Sequence, residues 1–149
     1  MYDSLAKGYD ELYGEEQEKK LQKIAPFLKG RILDIGAGTG IVAKHFPNVV
    51  SLDPSLEMLK HASGMKVLGE AEHLPFKAGS FDTIVSLTAL HHTNIPKVIK
   101  ELKRMKAPLM VLSILTKSKK CTLIISSLRK TFEKIKIIEE EKDMILIIK

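Results

Sequence analysis

The stretch whose reading decides the fold is Arg31-Ile32-Leu33-Asp34-Ile35-Gly36-Ala37-Gly38-Thr39-Gly40. Arg31 to Ile35 reads as a short buried parallel strand. Gly36, Gly38 and Gly40 follow at alternate positions, where the absence of a side chain lets backbone turn sharply and approach a ligand closely. A helical pattern resumes at Ile41-Val42-Ala43-Lys44-His45-Phe46. Strand, glycine turn and helix together place helix N-terminal amides beside a nucleotide-like ligand. Two relatives of this pattern are excluded by spacing. The third glycine of a dinucleotide fingerprint would fall at position 41, which is Ile, and Gly40-Ile41-Val42 is not the Gly-Lys-Ser/Thr of a P-loop. A glycine-rich turn with no ligand is the plain alternative.

Asp34-x-Gly-x-Gly-x-Gly resembles motif I of the class I S-adenosylmethionine (SAM)-dependent methyltransferases. The resemblance implies that Asp34, Gly36, Ala37, Gly38 and Gly40 surround SAM, with S-adenosylhomocysteine as product. Working outward, Val49 to Leu52 reads as the second strand and ends at Asp53, where a carboxylate can accept from both ribose hydroxyls of an adenosine. By resemblance Pro54 packs against the adenine. Ser55 is the expected N-cap of a helix over Ser55 to Ala62 with Leu56 and Leu59 facing inward. Lys66 to Leu68 is the third strand. The segment Gly69-Glu70-Ala71-Glu72-His73-Leu74-Pro75-Phe76 is similar to the family's Gly-Asp-Ala-x-x-Leu-Pro-Phe, with Glu70 in place of Asp. That similarity implies that Glu70 faces the adenine amino group and that the Ala71 amide reaches a ring nitrogen. Glu72 and His73 read as surface residues.

Ser80 to Leu87 reads as the fourth, central strand, and Leu87 falls at its cofactor-facing end. The following Thr88-Ala89-Leu90-His91-His92 completes a run that resembles the quinone-biosynthesis C-methyltransferase-like (methyltransferase type 11) branch. Asn94 to Met105 is expected as a crossover helix buried through Ile95, Val98, Ile99 and Leu102. Where the family has Leu-Lys-Pro-Gly-Gly, this chain has Lys106-Ala107-Pro108-Leu109, so the turn into strand five (Met110 to Leu115) must be built without glycine. A helix over Cys121 to Leu128 and a hairpin of Lys134 to Ile138 with Met144 to Ile148 close the sequence. The expected fold is α/β: a single-domain, Rossmann-like, mostly parallel sheet with a terminal antiparallel hairpin and helices on both faces.

All of residues 1–149 are assigned to one domain, with 30–149 as core and 1–29 as N-terminal helices over the cofactor site. There Tyr2-Asp3-x-x-Ala6-x-x-Tyr9-Asp10 resembles the family's entry helix, which implies that Tyr9 is a lid contact, and Leu21, Ile24, Ala25 and Leu28 share an apolar face. Hydrophobic content of 44% with 28% charged residues is that of a globular protein. The lone Cys121 offers neither an internal disulfide nor a metal cluster, which fits a reducing cytoplasm, and no metal is expected. No apolar run is long enough to span a membrane.

Charge is uneven. Residues 97–136 hold twelve Lys or Arg against Glu101 and Glu133 alone. With no insert enclosing an acceptor, this asymmetry suggests a macromolecular one, RNA before protein, approaching the basic half. A solvated lysine surface is the plain reading of the same residues. A small-molecule acceptor and a non-catalytic SAM-binding subunit are the alternatives, and a homodimer or partner subunit is left open. If the acceptor must lose a proton, His91 is the candidate catalytic base.

Overall fold

The computed structural model describes residues 15–149; Tyr9 and the expected helix from Met1 to Gly14 lie outside them. Seven strands form one sheet: β1 (Ile32–Ile35), β2 (Val49–Asp53), β3 (Met65–Leu68), β4 (Thr83–Leu87), β5 (Leu109–Leu115), β6 (Ile135–Glu139) and β7 (Asp143–Ile148). Their order is β3-β2-β1-β4-β5-β7-β6. The first five run parallel, and β7 lies antiparallel between β5 and β6. Strand order reverses direction at β1, which has β2 on one side and β4 on the other, and this is where ligands bind in open α/β sheets.

Period-two alternation sorts the core. Leu33 and Ile35, Val50 and Leu52, Ile84, and Met110, Leu112 and Ile114 face one side. There they meet helix α4 (Ile95–Met105) and helix α5 (Cys121–Thr131) through Val98, Leu102, Ile124 and Leu128. Ile32, Val49, Val85, Leu87 and Val111 face the other side, against Val42 of helix α2 (Ile41–His45) and Leu21, Ile24 and Leu28 of the N-terminal segment. That segment is helical over residues 15–24 (helix α1) and tightens into a 3-10 turn at Ala25–Phe27, where Pro26 ends the α-helical pattern. Asp34 and Asp53 belong to the second set, so both carboxylates emerge on the α1/α2 face at the carboxyl ends of their strands.

Three local features have plain causes. Helix α3 is only Leu56–Leu59; Ser55 caps it, its hydroxyl accepting from the Met58 amide at 3.2 Å. Leu59 is buried as expected, but Leu56, in the first helical position, is 56% exposed, which corrects its inward assignment. The glycine-free turn into β5 is made by Lys106, which takes the left-handed conformation (φ 50°) at the end of α4. Glu72 is not a plain surface residue: its Oε2 accepts from the Asn94 amide at 3.0 Å, just ahead of α4. The Leu74–Phe76 loop is tied to the same helix. Glu101 accepts from the Leu74 amide, and the Arg104 guanidinium donates to the Leu74 and Phe76 carbonyls, each at 2.9 Å.

Candidate active site

At the carboxyl edge of the sheet lies a cavity of about 640 Å³, within the range of small-molecule sites. Its floor is the turn after β1. The Gly36 and Ala37 amides both donate to the Leu52 carbonyl, at 2.8 and 3.0 Å, which pulls this turn onto the end of β2. Gly36 sits at φ +70°, and a Cβ there would run into the Cβ of Ala89 after β4. Glycine is therefore required for the turn and for its approach to the β4 loop. Gly40, at φ +80°, caps α2 and packs on Ala62, 2.6 Å from where its Cβ would stand. It does not line the cavity; its place is in the packing under the turn.

Asp53 organises this floor. Its Oδ2 accepts from the Gly38 amide and its Oδ1 from the Ser55 amide, both at 2.9 Å. Each carboxylate oxygen keeps a further lone pair for a ligand. Asp34 is 2% exposed, and burial first, then the nearby charge of Asp53, pushes its carboxyl up to about 8. Beside them the wall carries Pro54, Glu70, Ala71 and Leu87, so every expected cofactor residue among those described, except Gly40, lines one cavity with His91.

At the β4 end the wall is Thr88, Ala89 and the 3-10 turn Leu90–His92. Thr88 holds a left-handed conformation (φ 51°), its amide bonded to both the carbonyl and the hydroxyl of Ser113 on β5 at 3.0 Å. The His91 ring lies 3.9 Å from that of His92, centroid to centroid. Burial chiefly, helped by His92 and Lys120, lowers its pKa, with Asp143 opposing, so the imidazole is neutral at neutral pH. Its Nδ1 is buried without a protein partner.

The cavity also takes in Gln17 of α1, which no sequence motif marked. Its Nε2 donates to the Thr88 hydroxyl at 2.8 Å, while its Oε1 is buried without a protein partner. A signal did exist: Gln17, Lys20, Leu21 and Ile24 share one helical stripe, and two polar residues on a buried stripe call for polar partners. Lys20 finds one in Asp143 of β7, 2.6 Å away, with both side chains 8% exposed.

The residues fit an adenosyl ligand: a side-chain-free turn that a Cβ would block, an acid at the end of β2, and unsatisfied buried polar atoms at the β4 end. The comparisons agree. The profile of the methyltransferase domain family matches residues 33–113, more than half of the chain, and the chain belongs to that family. It is 41% identical over 112 residues to the protein MJ1252 of Methanocaldococcus jannaschii, covering 69% of this chain and 45% of that protein. It is 30% identical over 126 residues to the demethylmenaquinone methyltransferase of Renibacterium salmoninarum, covering 72% and 53%. A solved SAM-dependent methyltransferase from Thermotoga maritima superposes with a TM-score of 0.73 over 93% of this chain and 95% of its own, at 20% identity. The chain spans about half the length of the curated relatives it matches.

Proposed function

We propose that this chain transfers a methyl group from SAM to an acceptor that reaches the cavity from the β4–β5 side. The observation that carries this reading is the Asp53 carboxylate locked onto the Gly38 amide at the floor of a cavity whose turn Gly36 lets pack against Ala89. When bound, SAM supplies an already activated methyl on its sulfonium, so the protein's part is to align the acceptor and keep out water. Asp53 would hold the ribose, Pro54 and Ala71 would flank the adenine with Glu70 at the rim, and Leu87 would form part of the floor under the sulfur. His91, uncharged at neutral pH, is suited to take a proton from a protic acceptor.

For the acceptor we favour a polyanion, RNA before protein. All twelve basic side chains of residues 97–136 are exposed, most of them on the α4/α5 layer and in the turn leading into α5. The basic run reaches the cavity itself: Lys120 donates to the carbonyl of Thr93, which lines it. A small acceptor is the second reading, favoured by the cavity volume and by the activity in the name of the demethylmenaquinone methyltransferase.

Calorimetry with S-adenosylhomocysteine, followed by transfer of a radiolabelled methyl to RNA, protein and metabolite fractions, separates the readings. Label in RNA supports the favoured acceptor and label in small metabolites replaces it. Binding without label in any fraction makes the chain a cofactor-binding subunit. No binding removes the proposal.

A further inference from the structure

We infer that Gln17 binds the amino-acid half of the cofactor, its carboxamide oxygen accepting a hydrogen bond from the cofactor's α-ammonium. The inference rests on the SAM reading above and adds a residue to it from outside the matched stretch of the family.

Topology orients the ligand. With the ribose at Asp53 on β2 and the adenine between Pro54 and Ala71 toward β3, the remainder of an adenosyl amino acid must run the other way, across β1 to the mouth of β4. Gln17 stands at that mouth. It is 4% exposed, and its Nε2 is spent on Thr88, the first residue after β4. Its Oε1 has no protein partner, and the residue lines a cavity large enough for a ligand. A buried carbonyl oxygen left unpaired is costly, and an ammonium with three donors is the part of the cofactor best able to satisfy it.

The placement of Gln17 is enforced from outside the site. Helix α1 is fastened to the start of β7 by Lys20–Asp143 at 2.6 Å, and to the β6–β7 turn by Lys142–Glu16 at 2.5 Å and Lys23–Glu140. Lys20 lies one helical turn from Gln17, so the buried pair fixes the register in which the carboxamide meets Thr88.

Two nucleosides test the assignment by calorimetry: S-adenosylhomocysteine, which carries the amino-acid half, and 5′-methylthioadenosine, which lacks it. Gln17→Leu should weaken S-adenosylhomocysteine about tenfold, the worth of one hydrogen bond to a charged group, and leave methylthioadenosine unchanged. Gln17→Glu, still an acceptor and now anionic, should keep S-adenosylhomocysteine affinity at or above that of the unaltered protein. Equal loss of both nucleosides in Gln17→Leu, no loss of either, or a Gln17→Glu variant as weak as Gln17→Leu overturns the assignment while the SAM reading stands. Failure of the unaltered protein to bind either nucleoside overturns both.

Discussion

Asp53 is already engaged with its own protein: the Gly38 amide holds one carboxylate oxygen and the Ser55 amide the other. One side chain therefore shapes the glycine turn, starts α3 and offers its spare lone pairs to the cavity. Asp53→Ala should weaken S-adenosylhomocysteine binding by roughly 1–3 kcal/mol, read by calorimetry; an unchanged affinity would take Asp53 out of the site. Asp34 has a different burden. Its carboxyl is raised from 3.8 to about 8, mainly by burial and secondarily by Asp53, so the folded protein prefers it protonated. The stability this lends is complete below the unfolded value of 3.8 and is lost as pH climbs through the folded value of about 8. Thermal melts from about pH 5 to about pH 9 should show the unaltered protein losing stability across that window and Asp34→Asn, which never ionises, losing much less. Parallel curves for the two proteins would sink this account of Asp34.

Among the elements, what was legible in the sequence tracks how strongly each segment's own pattern constrains it. The strand–glycine–helix unit, the terminal hairpin and the face of α4 through Ile95, Val98, Ile99 and Leu102 formed where periodicity put them. Leu56 misled because α3 is too short to set a buried stripe, so a position that looks amphipathic hangs on the surface. Glu72 and Gln17 were hidden for another reason: each gains its role from a partner far along the chain, Asn94 and Thr88, that local pattern cannot supply. Gly40 had the right residue type, but the turn geometry that decides between lining a site and packing beneath it is three-dimensional. The missing glycines after α4 were legible as a problem, and the structure supplies its solution in Lys106 at φ 50°. Left-handed backbone costs a non-glycine residue on the order of 1 kcal/mol, so Lys106→Gly should raise stability by up to about that amount in denaturant titration. A loss of stability instead would mean that the Lys106 side chain contributes more than its backbone strain costs.

Across the whole molecule, the sheet separates two tasks. The face under α1 and α2 carries the two carboxylates that meet the cavity at the carboxyl edge; the face under α4 and α5 carries most of the exposed cations of residues 97–136. Reversing Lys119 and Lys120 to Glu should leave S-adenosylhomocysteine affinity unchanged. It should weaken binding to single-stranded RNA and flatten its dependence on salt, by about 1.4 in log–log slope if both lysines contact phosphate. Unchanged RNA binding would reduce the basic layer to a solvated surface. Among the described residues no helix is long and apolar enough to cross a membrane. The strand order also sets a schedule. Because β7 slots between β5 and β6, and its first residue, Asp143, anchors the helix bearing Gln17, that helix gains its buried ion pair only after residue 143 has been made. A nascent chain stalled on the ribosome before residue 143 emerges would hold its five parallel strands with Lys20 still lacking the carboxylate that seats its helix.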